Sequence, residues 1–295
     1  MSFAARAVFA AFVTLAVLPS ARTANAVSQI SVVAAENFYG DVARQIGGEH
    51  VAVVSIMSNP DQDPHLFETT PSTVKQIGAA QIVIENGADY DPWMDKLLAA
   101  NEASGRVAIV VADLVGRKSG DNPHLWYDPA TMPAVAKALT AALDKIDPAH
   151  APDFDKRRDA FLDSLKPLDA KVASLRARFS GVVVTATEPV FGYMADAIGL
   201  KMRNLEFQMA VMNDSEPTAL QVATFENDLR KHTDKVLFYN NQATEDLTKR
   251  MQDEANENGV PVVGVSETEP PGTTYQKWML DQLEALDKAL ADGAK

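Results

Sequence analysis

Residues 30–57 read ISVVAAENFYGDVARQIGGEHVAVVSIM, and the succession of patterns in this stretch decides the fold class. Ile30 to Ala34 is a β-branched apolar run, the signature of a buried strand. Phe38 to Ile46 carries apolar side chains at helical spacing and stops at Gly47-Gly48, where glycine ends a helix most easily. Val51 to Met57 is β-branched again. Strand, helix and strand in so short a span form the unit of a parallel sheet, because parallel neighbours need a crossover connection.

The alternation continues outward from this unit. Pro71-Ser72-Thr73 opens a helix, Gln81 to Glu85 is strand-like, Asn86-Gly87-Ala88-Asp89 is a turn, Trp93 to Ala100 is helical, and Val107 to Ala112 is a fourth strand. Thr131 to Ile146 is an alanine-rich helix. Asp153 to Phe179 is long, charged and helical, and Pro167 inside it predicts a kink or a break. Strands then recur at 182–185, 235–239 and 260–265, with helices at 191–198, 218–232, 245–258 and 274–290. The expected architecture is α/β, with two lobes, each a parallel sheet flanked by helices, joined by a long connecting helix. The expected boundaries are 27–150 for the first lobe, 151–180 for the connector and 181–295 for the second lobe. No sequence repeat links the halves beyond this pattern.

The start of the chain reads as a secretory signal over residues 1–26. Arg6 precedes the uncharged apolar run Ala7 to Leu18, and Ala24-Asn25-Ala26 fits small-x-small cleavage. The run is short for a membrane span, so no membrane insertion is expected after cleavage. The chain has no cysteine, which excludes disulfide staples and a lipid-bearing cysteine. The expected location is therefore the periplasm, as a free protein and not a lipoprotein. The formal charge is −13, which argues against nucleic acid or an anionic membrane as partner and suits a cationic ligand as well as plain solubility.

Two short motifs carry the chemistry. They are Asp63-Pro64-His65-Leu66-Phe67-Glu68 and Asn122-Pro123-His124-Leu125-Trp126-Tyr127-Asp128-Pro129. Only five histidines occur in the chain, and two of them directly follow a proline. Proline fixes its own φ and restricts the residue before it, so each imidazole sits on a stiff turn and loses little entropy on binding. His65 follows the second strand and His124 the fourth. In open parallel sheets, ligands bind beyond the carboxyl ends of the strands, so the two loops can meet at one edge. His50, His150 and His232 stand in polar contexts and read as solvated.

The order of motifs, D-P-H-x-F-E, N-G-A-D-Y-D-P-W, N-P-H-L-W-Y-D-P, a long helix and T-E-P-V-F-G-Y, resembles the metal-binding solute-binding proteins of zinc and manganese ABC importers, the cluster A-I type. The likeness covers essentially the whole mature chain. It implies two α/β lobes joined by one rigid helix, with one Zn2+ or Mn2+ held between them as transported ligand. It implies as partners a permease and its ATPase, and a monomeric receptor. It implies His65 and His124 as the first two metal ligands. The third ligand in this family stands where Glu188 is, in Thr187-Glu188-Pro189-Val190-Phe191-Gly192-Tyr193. The fourth is an acid in the loop after the last strand. Here that loop is Val265-Ser266-Glu267-Thr268-Glu269, and Glu267 is chosen over Ser266 and Glu269 because a hydroxyl ligates poorly and Glu269 lies further along.

Two imidazoles and two carboxylates make a mixed donor set. Imidazole suits zinc and carboxylate suits manganese, so both metals stay open. Binding should weaken as pH falls towards about 6, because only neutral imidazole coordinates. Plainer roles stand beside each assignment. Glu188 before Pro189 also fits an acid at a helix start, Glu267 an ordinary surface acid, and Asp128 before Pro129 either a helix start or a partner that orients an imidazole. Trp126, Tyr127 and Tyr193 read as packing around the site. A metal-dependent hydrolase or an adhesin on the same fold is the alternative. No H-E-x-x-H, G-x-S-x-G or phosphate loop is present to favour the enzyme.

Overall fold

The structure is a computed structural model that describes Met1 and residues 29–61, 64 and 67–292. The expected signal segment, Met1 apart, and His65 lie outside the described residues.

The first lobe contains β1 (Ile30–Glu36), α1 (Asn37–Gly47), β2 (Val51–Met57), α2 (Pro71–Ala79), β3 (Ile82–Glu85), α3 (Pro92–Ala100), β4 (Val107–Val110), α4 (Val111–Leu114) and α5 (Thr131–Ile146). Its four strands are parallel in the order β2-β1-β3-β4. β1 is buried on both faces, as a central parallel strand under helices must be, which is why Ile30 to Ala35 runs apolar almost without alternation. The connector is α6 (Ala151–Ser164) followed by α7 (Lys166–Phe179). The second lobe contains β5 (Val183–Ala186), α8 (Gly192–Ile198), β6 (Lys201–Met202), α9 (Leu205–Met212), α10 (Ala219–Arg230), β7 (Leu237–Asn240), α11 (Asp246–Glu257), β8 (Val262–Val265) and α12 (Tyr275–Asp292). Its parallel order is β6-β5-β7-β8. The two sheets thus share one strand order, a topological repeat that the sequences of the halves do not display.

The connector breaks at Leu165, two residues before Pro167. Leu165 keeps near-helical angles (φ −80°, ψ −17°), so the chain direction is largely preserved. Proline sits in the first turn of α7, where a missing N–H leaves no hydrogen bond unmade. α6 packs on α1 and α5, whereas α7 packs on α8 and α12, so the two halves of the connector serve different lobes.

One apolar core runs through both lobes without interruption. Phe38 packs at a tilt on Trp126 at 4.5 Å, Tyr127 meets Phe191 edge-on at 5.6 Å, and Phe191 stacks on Phe238 at 4.3 Å. α12 closes the seam: the Tyr275 hydroxyl donates to the Trp126 carbonyl at 2.7 Å and its N–H to Asp41 Oδ2 at 3.1 Å.

Three expectations need correction. β4 ends at Val110, because Val111 to Leu114 turns into a helix. β6 and α9 are present where the sequence offered no signal. His50 and His150 are not both solvated: His50 is buried and its ring stacks on that of His150, because the turn before β2 packs against the corner between α5 and α6.

Candidate metal centre

In each lobe the chain reverses its winding between the first strand and its neighbour, β1 against β3 and β5 against β7. The carboxyl ends of these strands face the interlobe seam, the usual position for a ligand site.

The first lobe supplies His124. It ends the loop that leads into α5 and is fully buried. The Asn122 side chain fixes its ring: Nδ1 donates to Asn122 Oδ1 at 2.7 Å, and the His124 N–H donates to the same oxygen at 3.1 Å. Nδ1 is thereby committed, and Nε2 is the nitrogen that faces the seam. The sequence reading offered Asp128 as a partner for an imidazole. Asp128 instead accepts from the Ala130 N–H at 2.9 Å and shapes the turn before α5 without capping it, and the orienting residue is Asn122.

Asn122 is itself held from the second lobe. Its Nδ2 donates to the Pro189 carbonyl at 2.7 Å, and Tyr193 Oη donates to the Asn122 carbonyl at 2.7 Å. A Cβ on Gly192 would stand 2.8 Å from Asn122 Nδ2, so the glycine of T-E-P-V-F-G-Y makes room for this bridge.

The N-G-A-D-Y-D-P-W stretch builds the wall opposite. Gly87, Ala88 and Asp89 all have positive φ (72°, 52° and 67°), an uncommon run for non-glycine residues. Asp91 stabilises it by accepting from the Asn86 and Gly87 N–H groups at 2.7 and 2.8 Å. Asn86 Nδ2 donates to the Pro123 carbonyl at 2.9 Å and ties this loop to the histidine loop. The tight turn delivers Tyr90, whose hydroxyl donates to Glu267 Oε2 at 3.0 Å.

The second lobe supplies the acids. Glu188 follows β5, is buried, and makes no side-chain cap to the helical turn behind it. Glu267 follows β8 and is buried, so it is not an ordinary surface acid. His124 Nε2 and Glu267 Oε2 approach to 3.1 Å, and neither side chain is exposed. Asn240, at the end of β7, donates one N–H to Glu267 Oε1 at 2.7 Å and the other to Glu188 Oε2. This amide bridges the two carboxylates and sets their orientation. Gln242 Oε1 accepts from the Glu267 and Thr268 N–H groups at 2.6 and 2.9 Å and shapes the loop that carries Glu267.

Of the neighbours considered for the fourth position, Ser266 is engaged through its hydroxyl, whereas Glu269 is held through its backbone. Ser266 Oγ accepts from Trp278 Nε1 at 3.1 Å and donates to the Thr268 carbonyl at 3.2 Å. Glu269 exchanges backbone hydrogen bonds with the Asn37 side chain across the lobes, and burial raises its carboxyl to about 8. Trp126, Tyr127 and Tyr193 pack around the site as read from the sequence. His65 lies outside the described residues, but Pro64 and Phe67 beside it border one small pocket with Thr268 of the second lobe. The structure therefore joins His124 to Glu267 directly, and Asn240 joins Glu267 to Glu188. Sequence reasoning missed Asn122, Asn240 and Tyr90. Amides and a phenol carry no ligand signature, although Tyr90 and Asn122 lie inside quoted motifs.

The chain matches the family model for the periplasmic component A of the zinc-uptake complex over residues 32–289. It is 27% identical to the iron-binding protein YfeA of Yersinia pestis over 65% of this chain and 64% of that protein. It is 25% identical to the manganese-binding lipoprotein MntA of Bacillus subtilis over 89% of this chain and 90% of that one. Among solved structures, the periplasmic zinc-binding protein TroA of Treponema pallidum superposes with a TM-score of 0.74 at 22% identity, covering 89% of this chain and 99% of that chain. The likeness shows the shared two-lobed fold. These relatives also correct one expectation. MntA, and the streptococcal relatives ScbA, SsaB, PsaA and SloC, are named as lipoproteins, so the expectation of a free periplasmic protein that is not a lipoprotein does not stand.

Proposed function

We propose a function from one premise: the chain belongs to the family of the periplasmic zinc-uptake complex component A. Members of this family are solute-binding proteins of ABC importers, not enzymes, and they work with a permease and an ATPase. The present chain captures one divalent transition metal, Zn2+ or Mn2+, between its lobes outside the cytoplasm and hands it to such a permease. The observation that carries this reading is the buried approach of His124 Nε2 to Glu267 Oε2 from opposite lobes at 3.1 Å.

The ligand set is His65, His124, Glu188 and Glu267. Each has a reason. Asn122 leaves His124 Nε2 for the cation, and Asn240 presents oxygens of both glutamates to the same point. Four protein ligands close the shell and leave no position for an activated water, so the chain performs no turnover of its own. The mixed set accommodates zinc with monodentate carboxylates and manganese with bidentate ones. The uninterrupted core and the hydrogen bonds across the seam oppose wide opening of the lobes. Release then comes from local movement of the loop carrying Glu267. The lobe and connector boundaries stay at 27–150, 151–180 and 181–295, and the receptor acts as a monomer.

Metal analysis of protein dialysed against equal Zn2+ and Mn2+, with an esterase, peptidase and phosphatase screen on the same sample, tests this reading. One tightly held metal per interlobe site and no turnover support it. Turnover that disappears on chelation would assign the chain to the hydrolase alternative.

A further inference from the structure

A second group of metal-ligating side chains lies away from the interlobe seam. His50 ends the short helical turn that follows α1, just before β2. Asp147 follows α5, and His150 precedes α6. One imidazole nitrogen from each histidine and one Asp147 oxygen all lie within 4.8 Å of one another. The interlobe site stands beyond the carboxyl ends of the strands, whereas His50 stands at the amino end of β2. At about 3.3 Å per residue, the length of β2 alone puts roughly 20 Å between the two ends.

The cluster is rigid for physical reasons. Asp147-Pro148-Ala149-His150 is a turn closed by the His150 N–H donating to the Asp147 carbonyl at 3.2 Å, with Pro148 fixing its φ. The turn places the His150 Nδ1 donor 2.6 Å from Asp147 Oδ2. His50 is buried, stacks on His150 with ring centroids 4.1 Å apart, and is wedged edge-on against Phe154 at 5.4 Å. Asp153, on the first turn of α6, stands 3.8 Å from His50 Nε2 and is largely exposed. The negative end of α5, a helix of 16 residues, points at the same place.

We propose that His50, Asp147 and His150 form a second site, for a borderline divalent cation of the zinc class, at the edge of the first lobe opposite the interlobe site. Zinc at about 2.0–2.2 Å from each ligand needs ligand atoms roughly 3.3 Å apart in a tetrahedron. The Asp147–His150 pair must open slightly from 2.6 Å and the widest pair must close from within 4.8 Å. Rotation of the partly exposed Asp147 and His150 side chains supplies both changes. Water or Asp153 completes the shell. Two imidazoles and one carboxylate favour zinc or copper over manganese, which prefers oxygen. The site therefore separates the two metals that the interlobe donor set leaves open.

Equilibrium dialysis of the full mature chain against Zn2+, and separately against Mn2+, with metal counted per chain, tests the proposal. The variants are His150→Ala, Asp147→Asn and His124→Ala. His150 and Asp147 are part-exposed turn residues, and circular dichroism verifies each fold. The parent is expected to hold two Zn2+ and one Mn2+. His150→Ala and Asp147→Asn weaken the second zinc step about tenfold or more and leave the first unchanged. His124→Ala loses the first step and keeps the second. A parent chain that holds a single Zn2+, or His150→Ala and Asp147→Asn chains that hold two with parental affinity, would overturn it.

Discussion

Asn240 is the residue on which the geometry of the interlobe site turns. Its amide donates to Glu188 and Glu267 together, and its carbonyl oxygen accepts from the Gln242 N–H at 3.1 Å, so the side chain has no freedom to rotate. Two carboxylates held side by side in a buried place repel, and the two N–H groups offset that repulsion. Asn240→Ala removes the bridge and leaves both acids buried with one partner fewer. Metal-free stability should fall by about 1–3 kcal/mol by denaturant unfolding. Zn2+ affinity should weaken about tenfold, because residues that orient ligands typically matter to that degree. Unchanged affinity in a folded Asn240→Ala chain would show that the glutamates are positioned by something else.

At the scale of elements, the loop from Asn86 to Asp91 combines strain with function. Ala88 and Asp89 in the left-handed region cost energy, and the Asp91 carboxylate offsets it by accepting two backbone N–H groups. Burial raises the Asp91 carboxyl to about 6, yet those two N–H groups pull in the opposite direction and favour the anion. Asp91→Ala should lower stability by about 1–3 kcal/mol and displace Tyr90 from Glu267. The displacement is checked by comparing metal affinity of this variant with that of Tyr90→Phe, and the two should weaken alike.

How much of this was legible in the sequence follows from the same elements. The buried strands and amphipathic helices were readable, because apolar runs and helical spacing record burial directly. β6 was not, since Lys201 and Met202 are only two residues paired at a sheet edge. α9 was not, since LEFQMAVM is apolar nearly all round and starts at Asn204 in a left-handed conformation without a side-chain cap. The histidines and the glutamate motif were readable as chemistry. Asn240 was not, because its role exists only once two distant segments meet, and Asn122, although two residues from His124 in one motif, carries an amide that reads as a turn former before proline. His50 and His150 were misread because their neighbours in sequence are polar, while their neighbours in space are each other and Phe154.

At the scale of the molecule, the lobes share a core, and the buried acids set the response to pH. Glu36 is buried, and burial and then the nearby Asp91 raise it well above the usual range. Burial raises Glu85 to about 8 and Asp234 to about 7. Each of these groups binds its proton more tightly folded than unfolded. Between the unfolded value near 4.5 and the folded value, the native state therefore holds more protons, and stability declines as pH rises. The thermal midpoint of metal-free protein should fall between about pH 5.5 and pH 8. Glu36→Gln, which mimics the neutral acid, should flatten that decline; a midpoint that rises across this range would contradict the burial of these acids. The shared core also predicts that small-angle scattering shows no contraction on metal binding beyond experimental error, because closure here is local. A clear decrease in radius of gyration would instead indicate hinged lobes.

The central claim is that one metal is held between the lobes by histidine from the first and glutamate from the second. Calorimetric titration of the leaderless protein with Zn2+, repeated on His65→Ala, His124→Ala, Glu188→Gln and Glu267→Gln, measures it directly. The account predicts a tight interlobe step in the parent, distinct from the second zinc step at His50, Asp147 and His150, that weakens at least about a hundredfold in His124→Ala and in each glutamine variant, since each loses a ligand from a closed shell. A tight interlobe step that survives unchanged in His124→Ala and Glu188→Gln would contradict it.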